Sequence, residues 1–379
     1  TLAALCLLPS IGRHALLTQS LLGAAVFLCA ATGIFFYIAG PRGRMLGLDI
    51  ALRKQHYLQA CAQLSVMLYW GWYWRQVYDA LPLIVAQLLF AYAFDMLLSW
   101  ARRGTYTLGF GPFPIIFSIN LFLWFKPDWF YLQFLMVAVG FLAKEFITWE
   151  KDGRRAHIFN PSSFPLGVFS LGLILTGNTA ITWGQEIAQT FELPPYIRLC
   201  IFLVSLPGQF LFGVTVMTMS AVLSVFAFGM GYYWFFGTYF FVDAFMPAAV
   251  FLGMHLLFTD PSTSPRTELG RIVFGITYGL GVVFLFWLLG ELGAPTFYDK
   301  LLAVPLMNMS IQLIDMGARS RWLRRFDPAR LGQSLSPRKR NLVYISLWAV
   351  GFAIVSDPTD SYRPRRWLPL WEQACAENR

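Results

Sequence analysis

Long apolar blocks, separated by short polar connections, constrain this chain more than any other feature. A helix that crosses a bilayer needs about 20 mainly apolar residues. Segments of that kind fall at roughly 18–40, 57–74, 80–100, 107–125, 129–148, 161–177, 196–213, 214–235, 241–258, 271–290, 299–316 and 341–356. Composition agrees, because 57% of the 379 residues are hydrophobic and only 13% charged. A soluble domain carries about twice that charged share. The expected fold class is therefore an all-α polytopic integral membrane protein with about 11–12 transmembrane helices. Pro207, Gly208 and Gly213 offer the only break between the seventh and eighth windows. The last window is short enough for an interfacial or re-entrant helix.

Charge placement gives an independent reading of topology. Arg42, Arg44, Arg53 and Lys54, Arg102 and Arg103, Lys144 to Arg155, Arg266 and Arg271, and the basic run from Arg319 to Arg340 all fall in alternate connections. The opposite connections hold Arg75, Lys126, Arg198 and Lys300. An error in span order would mix the two sets, so the basic set marks the cytoplasmic side. Topology thus accounts for the net charge of +9, and no basic stripe interleaved with exposed aromatics suggests nucleic acid. Trp70, Trp72, Trp74, Tyr106, Trp129, Trp149, Trp183, Tyr232 and Tyr298 lie at span ends, where an interfacial aromatic belt is expected. Cys6, Cys29, Cys61, Cys200 and Cys375 have no metal-ligand spacing, and the first four read as small buried hydrophobes. The chain starts at Thr1 rather than Met, so an earlier start or processing is expected and no signal peptide is assigned.

Two connections carry most of the polar chemistry. In the first, Asn160, Pro161, Ser162 and Ser163 open the sixth window. Asn is a strong N-cap and Pro suits a first helical turn, so a plain cap is one reading. Free amides at a helix start, near Lys151, Arg154 and Arg155, also suit an anionic ligand. The second runs through Thr259, Asp260, Thr263, Ser264 and Arg266, with Pro261 and Pro265 preventing a continuous helix. There Thr267 or Ser264 is a candidate cap, and Glu268 and Arg271 are spaced to pair across one turn. His255, one turn before Thr259, and the carboxylates Asp95 and Asp243 are candidates for proton or ion handling, against a structural alternative. Asn308, Gln312 and Asp315 form a polar stripe that reads as packing inward, with Asp315 and Glu291 near an interface. Walker A, HExxH and GxSxG signatures are all missing from the sequence, and no metal site is expected.

The stretches FNPSSFPLGVFSLGLIL, LLFTDPSTSPRTELGRIVFGITYGL and AVPLMNMSIQLID resemble, in order, the membrane subunits RnfD and NqrB of the Rnf and sodium-pumping NADH:quinone oxidoreductase complexes. The resemblance covers roughly residues 157–316 and implies an RnfD/NqrB-like helical bundle. It also implies a subunit of an electron-transport complex in a bacterial inner (cytoplasmic) membrane, working with flavin or quinone beside other subunits. That family attaches flavin mononucleotide through Thr in an S-G-A-T-type motif, and this chain has none; its corresponding loop holds Thr179 and Thr182. No covalent cofactor is expected, and any flavin or quinone is held non-covalently, with Asn160–Ser163 and Thr259–Arg266 as the candidate contacts. The wording TWGQEIA resembles a divergent, UnbU-like branch. The alternative is a cofactor-free membrane anchor, scaffold or ion conduit for partner proteins. Three regions follow: 1–156 with about five N-terminal transmembrane helices, the RnfD/NqrB-like core at 157–316, and 317–379 with a basic cytoplasmic loop, a short apolar helix and a tail.

Overall fold

The computed structural model describes residues 2–39, 45–151, 153–242, 244–360 and 375. A helix lies in every one of the apolar windows. In chain order these are α1 (Ala15–Ala39), α2 (Lys54–Tyr73), α3 (Leu81–Arg102), α4 (Pro112–Asn120), α5 (Tyr131–Phe146) and α6 (Ser163–Leu175). They continue with α7 (Ile197–Phe212), α8 (Thr215–Phe236), α9 (Ala248–Leu252), α10 (Glu268–Glu291), α11 (Asp299–Ala318) and α12 (Pro337–Asp360). The protein is an all-α polytopic membrane protein.

The helices differ in length. Among the described residues, five are long and apolar enough to cross a bilayer: α1, α3, α8, α10, and α11 with its preceding turn. The windows at 107–125 and 241–258 do not form continuous spans. Nine residues of α4 rise only about 14 Å, half of a hydrocarbon core, and the chain then leaves the helix toward Phe125. In the second, Pro247 is extended, α9 follows, and a π-turn over Gly253–Leu257 completes the segment. Every residue from Ala248 to Leu257 is buried, as irregular backbone at membrane depth requires.

Three of the connections expected on the basic side meet in the structure. At the basic end, Arg271 donates to the Gly213 carbonyl at 2.6 Å, and Glu268 receives Arg340 at 2.6 Å and Tyr344 at 2.5 Å. The break between α7 and α8 is Gly213, in the left-handed region at φ 64°, while Pro207 stays inside α7. α8 and α10 pack closely because Gly275 and Gly279 carry no side chain; a Cβ on Gly275 would collide with the Met217 carbonyl. α12 enters the core through Trp348, Phe352 and Val355.

Several local expectations are revised. Trp70, Tyr106 and Tyr298 are core residues rather than belt anchors, and Trp70 stacks on Phe191 at 4.2 Å. Cys29 and Cys61 are exposed and Cys6 and Cys200 half-buried, because apolar surface facing lipid has no need of burial in protein. Two small ladders interrupt the helical pattern. β1 (Gly47–Ile50) pairs in parallel with β2 (Thr105–Leu108), and β3 (Thr148–Lys151) forms a hairpin with β4 (Arg154–His157). The second had a sequence signal, the Asp152-Gly153 pair between two polar strands.

Candidate functional site

The two polar connections meet at one corner of the basic end. Asn160 Oδ1 accepts from the Ser162 amide at 2.9 Å, the Ser162 hydroxyl at 2.7 Å and the Ser163 amide at 3.4 Å. Asn160 Nδ2 donates to the Leu257 carbonyl at 2.9 Å, which ties the start of α6 to the end of the π-turn. Asn308 on α11 closes the ring, accepting from the Asn160 amide at 3.1 Å and donating to the Thr263 carbonyl at 3.5 Å. Pro161 lies against α5 so closely that a Cβ on Gly140 would collide with its carbonyl.

The Asp260 turn is equally self-contained. Its carboxylate accepts from the Ser262 amide at 3.0 Å and the Thr263 hydroxyl at 3.3 Å, while Ser264 donates to the Asp260 carbonyl at 2.5 Å. Thr259 donates back to the His255 carbonyl at 2.7 Å. Asp315 is buried, and its carboxylate receives the Arg266 amide at 2.9 and 3.1 Å. Thr267 caps α10 through the Gly270 amide at 3.0 Å. Glu268 faces α12 and Arg271 faces the Pro265 and Gly213 carbonyls, so the expected one-turn pair is replaced by longer-range contacts.

What remains open at this corner is a cavity of about 110 Å³. His56, Lys144, His157 and Asp260 line it. His157 Nε2 lies 3.5 Å from Asp260 Oδ2. Burial pushes the Asp260 carboxyl up, but the His157 hydrogen bond and charge, the Ser262 N–H and the Thr263 hydroxyl outweigh it and hold the carboxyl below its ordinary value. His255 is not part of this cluster: it is buried beside Phe251 and Trp348, with Nδ1 on the Phe251 carbonyl at 2.8 Å. Asp95 is half-buried in α3, with no hydrogen bond among the described residues, and Asp243 lies outside them.

A second cavity, of about 460 Å³, opens at the end opposite the basic loops. Phe241, Phe286 and Phe297 give it aromatic walls, and Gln189, Glu192 and Lys300 give it polar groups. Glu192 accepts from the Ala248 amide at 2.7 Å and pairs with Arg198 at 3.1 Å; Arg198 in turn donates to the Met246 carbonyl at 2.9 Å. This clamp fixes the entry of α9. Beside it, Thr182 bridges to Phe125 and its hydroxyl is spent on the Thr179 carbonyl at 3.0 Å.

The sequence model described as the NQR2, RnfD, RnfE family matches residues 179–323. That stretch of the chain is similar to the family. No curated protein and no solved structure matches it. The likeness supports a multi-pass membrane subunit of the Rnf/Nqr type, a class that works in lipid beside partner subunits. The matched stretch includes the Asp260 turn and the Asn308 helix, and begins after the Asn160 turn. Every residue lining the 460 Å³ cavity falls inside it. The walls of the 110 Å³ cavity are mostly outside it, including His56, Lys144 and His157. Sequence reading passed over His56, His157 and Lys300 as site residues. The Asp-Gly hairpin signal would have placed His157 at a strand end, whereas Lys300 gave no signal beyond being a cation in the sparsely charged set of loops.

Proposed function

We propose that the chain is an electron-transport subunit that holds a flavin or a quinone headgroup non-covalently in the aromatic cavity opposite the basic loops. One observation carries the reading: this cavity is built wholly from family-matched residues and has the size of a ligand pocket. Ligand pockets span roughly 300–1,000 Å³, so about 460 Å³ accommodates a planar redox group. The 110 Å³ left between the Asn160 and Asp260 turns falls below that range. A third cavity, of about 340 Å³, is lined by Arg13, His14, Gln87 and Asn120 and takes only Trp183 from the matched stretch. The walls of Phe241, Phe286 and Phe297 suit offset or edge stacking on a conjugated ring. Non-covalent retention accords with a sequence that carries no S-G-A-T motif.

The test is purification of the intact chain from membranes in mild detergent, followed by visible absorbance for flavin and solvent extraction for quinone. One of the two is expected at a substantial fraction of the protein. Protein free of both, and binding neither when each is added back, would sink the reading in favour of a cofactor-free anchor.

A further inference from the structure

The aromatic cavity contains a cation with an unused donor. Lys300, in the first turn of α11, is only 3% exposed and lines the cavity wall. An ammonium carries three N–H donors. Two are taken, by the Phe297 carbonyl at 2.6 Å and by Asp299 Oδ1 at 2.9 Å. The third has no acceptor among the described residues. Asp299 is itself held in place, since Oδ1 also receives the Lys300 amide at 2.6 Å. The side chain is therefore fixed by a carbonyl and a carboxylate that restrain where its remaining donor points.

The surroundings sharpen the point. The Lys300 stem runs beside Gly253, where an added Cβ would lie 3.7 Å from Lys300 Cβ and 3.2 Å from the Tyr278 hydroxyl. That hydroxyl is buried and also lacks a partner among the described residues. Removing a cation from water is costly unless its donors are satisfied. A scaffold could have used an apolar residue here and avoided that cost.

We propose that Lys300 anchors a ring carbonyl oxygen of the occupant, so that the cavity selects a conjugated carbonyl compound over an equally flat ring without one. This rests on the cavity being the redox site, and it names the contact that orients the group. A hydrogen bond from a charged donor contributes about 1.5–3 kcal/mol, which corresponds to roughly 10–100-fold in affinity.

The experiment uses the full chain in detergent, with a short-chain ubiquinone as the carbonyl probe and the dimethyl ether of its quinol, which has no ring carbonyl, as the control. Binding is titrated by tryptophan quenching in wild type, Lys300→Met and the double variant Asp299→Asn/Lys300→Met, which removes both buried charges together. Roughly 10–100-fold weaker binding of the quinone, with no loss for the ether, is expected in whichever variant folds. A lowered carbonyl stretching frequency for the quinone bound to wild type reports the same contact without any substitution. Wild type that binds neither ubiquinone nor flavin defeats the underlying reading. Quinone binding that is unchanged in the variants, or an unshifted carbonyl band in wild type, overturns the Lys300 assignment alone.

Discussion

The two ends of the bundle use polar residues in opposite ways. At the basic end, Asn160, Ser162, Ser163, Thr263 and Asn308 are buried and bonded to one another or to neighbouring backbone. At the other end, fewer polar groups surround a larger space, and Lys300 keeps a donor in reserve. Segments that break off at membrane depth leave carbonyls and amides that water cannot reach. Asn160 and Asn308 satisfy those groups where the π-turn ends, so a conspicuous polar motif is consumed as a fastener. A binding wall needs the reverse, which is donors without internal partners. Here the dense polar cluster is the lock, and the spare donor of Lys300 belongs to the pocket.

The largest test of this contrast is Asn160→Ala. It removes the acceptor for the Ser162 and Ser163 amides and the donor to the Leu257 carbonyl. A buried polar group left unpaired costs about 1–3 kcal/mol, so a loss of roughly 3 kcal/mol is expected, a large part of a typical folding stability. Thermal unfolding in detergent should fall by many degrees, with a parallel fall in folded yield. A stable Asn160→Ala protein that had lost only its bound redox group would move the site to the basic end and reverse the comparison.

Sequence alone went far on architecture because the bilayer dictates it. The length of apolar blocks set windows that each contain a helix, and the alternation of Arg and Lys put Arg271, Glu268 and Arg340 at one end. It also brought the Asn160 and Asp260 stretches forward as a pair, and the structure joins them through Leu257, Thr263 and Asn308. It did not give the half-length α4 and α9, since hydropathy does not register where backbone hydrogen bonding stops. Nor did it pair Asp260 with His157 rather than His255. His255 was closer along the helix, but the π-turn and the packing of Trp348 direct it into the core. Lys300 was the least legible, because a donor left without a partner is a property of the folded surroundings rather than of residue type.

A smaller effect is expected from Asp260→Asn, which keeps the shape of the turn but removes the charge beside His157. Because the folded-state carboxyl is held below its ordinary value of 3.8, the ionised form stabilises the fold. That contribution is fully present above the unfolded value and is lost as pH falls through the folded one. At neutral pH the variant should be less stable by about 1 kcal/mol. The gap should narrow as the pH is lowered below about 4. Paired melting curves at neutral and acid pH check the sign, and a gap that widened in acid would contradict the assigned partners. Binding at the opposite cavity should be unchanged.

The smallest expected change in stability lies at that cavity, in Gln189→Ala. Gln189 is exposed and lines the space beside Glu192 without taking part in the Glu192–Arg198 clamp that holds α9. A surface substitution away from such a feature shifts stability by no more than about 0.5 kcal/mol. The melting temperature should therefore stay near that of wild type, while the affinity for a quinone or flavin probe falls if the amide reaches the occupant. The pairing of outcomes is what separates the ends: a polar residue can be lost here at little structural cost, whereas Asn160 cannot. A marked drop in melting temperature for Gln189→Ala would show that this wall is also a fastener, and the division between lock and pocket would fail at its more open end.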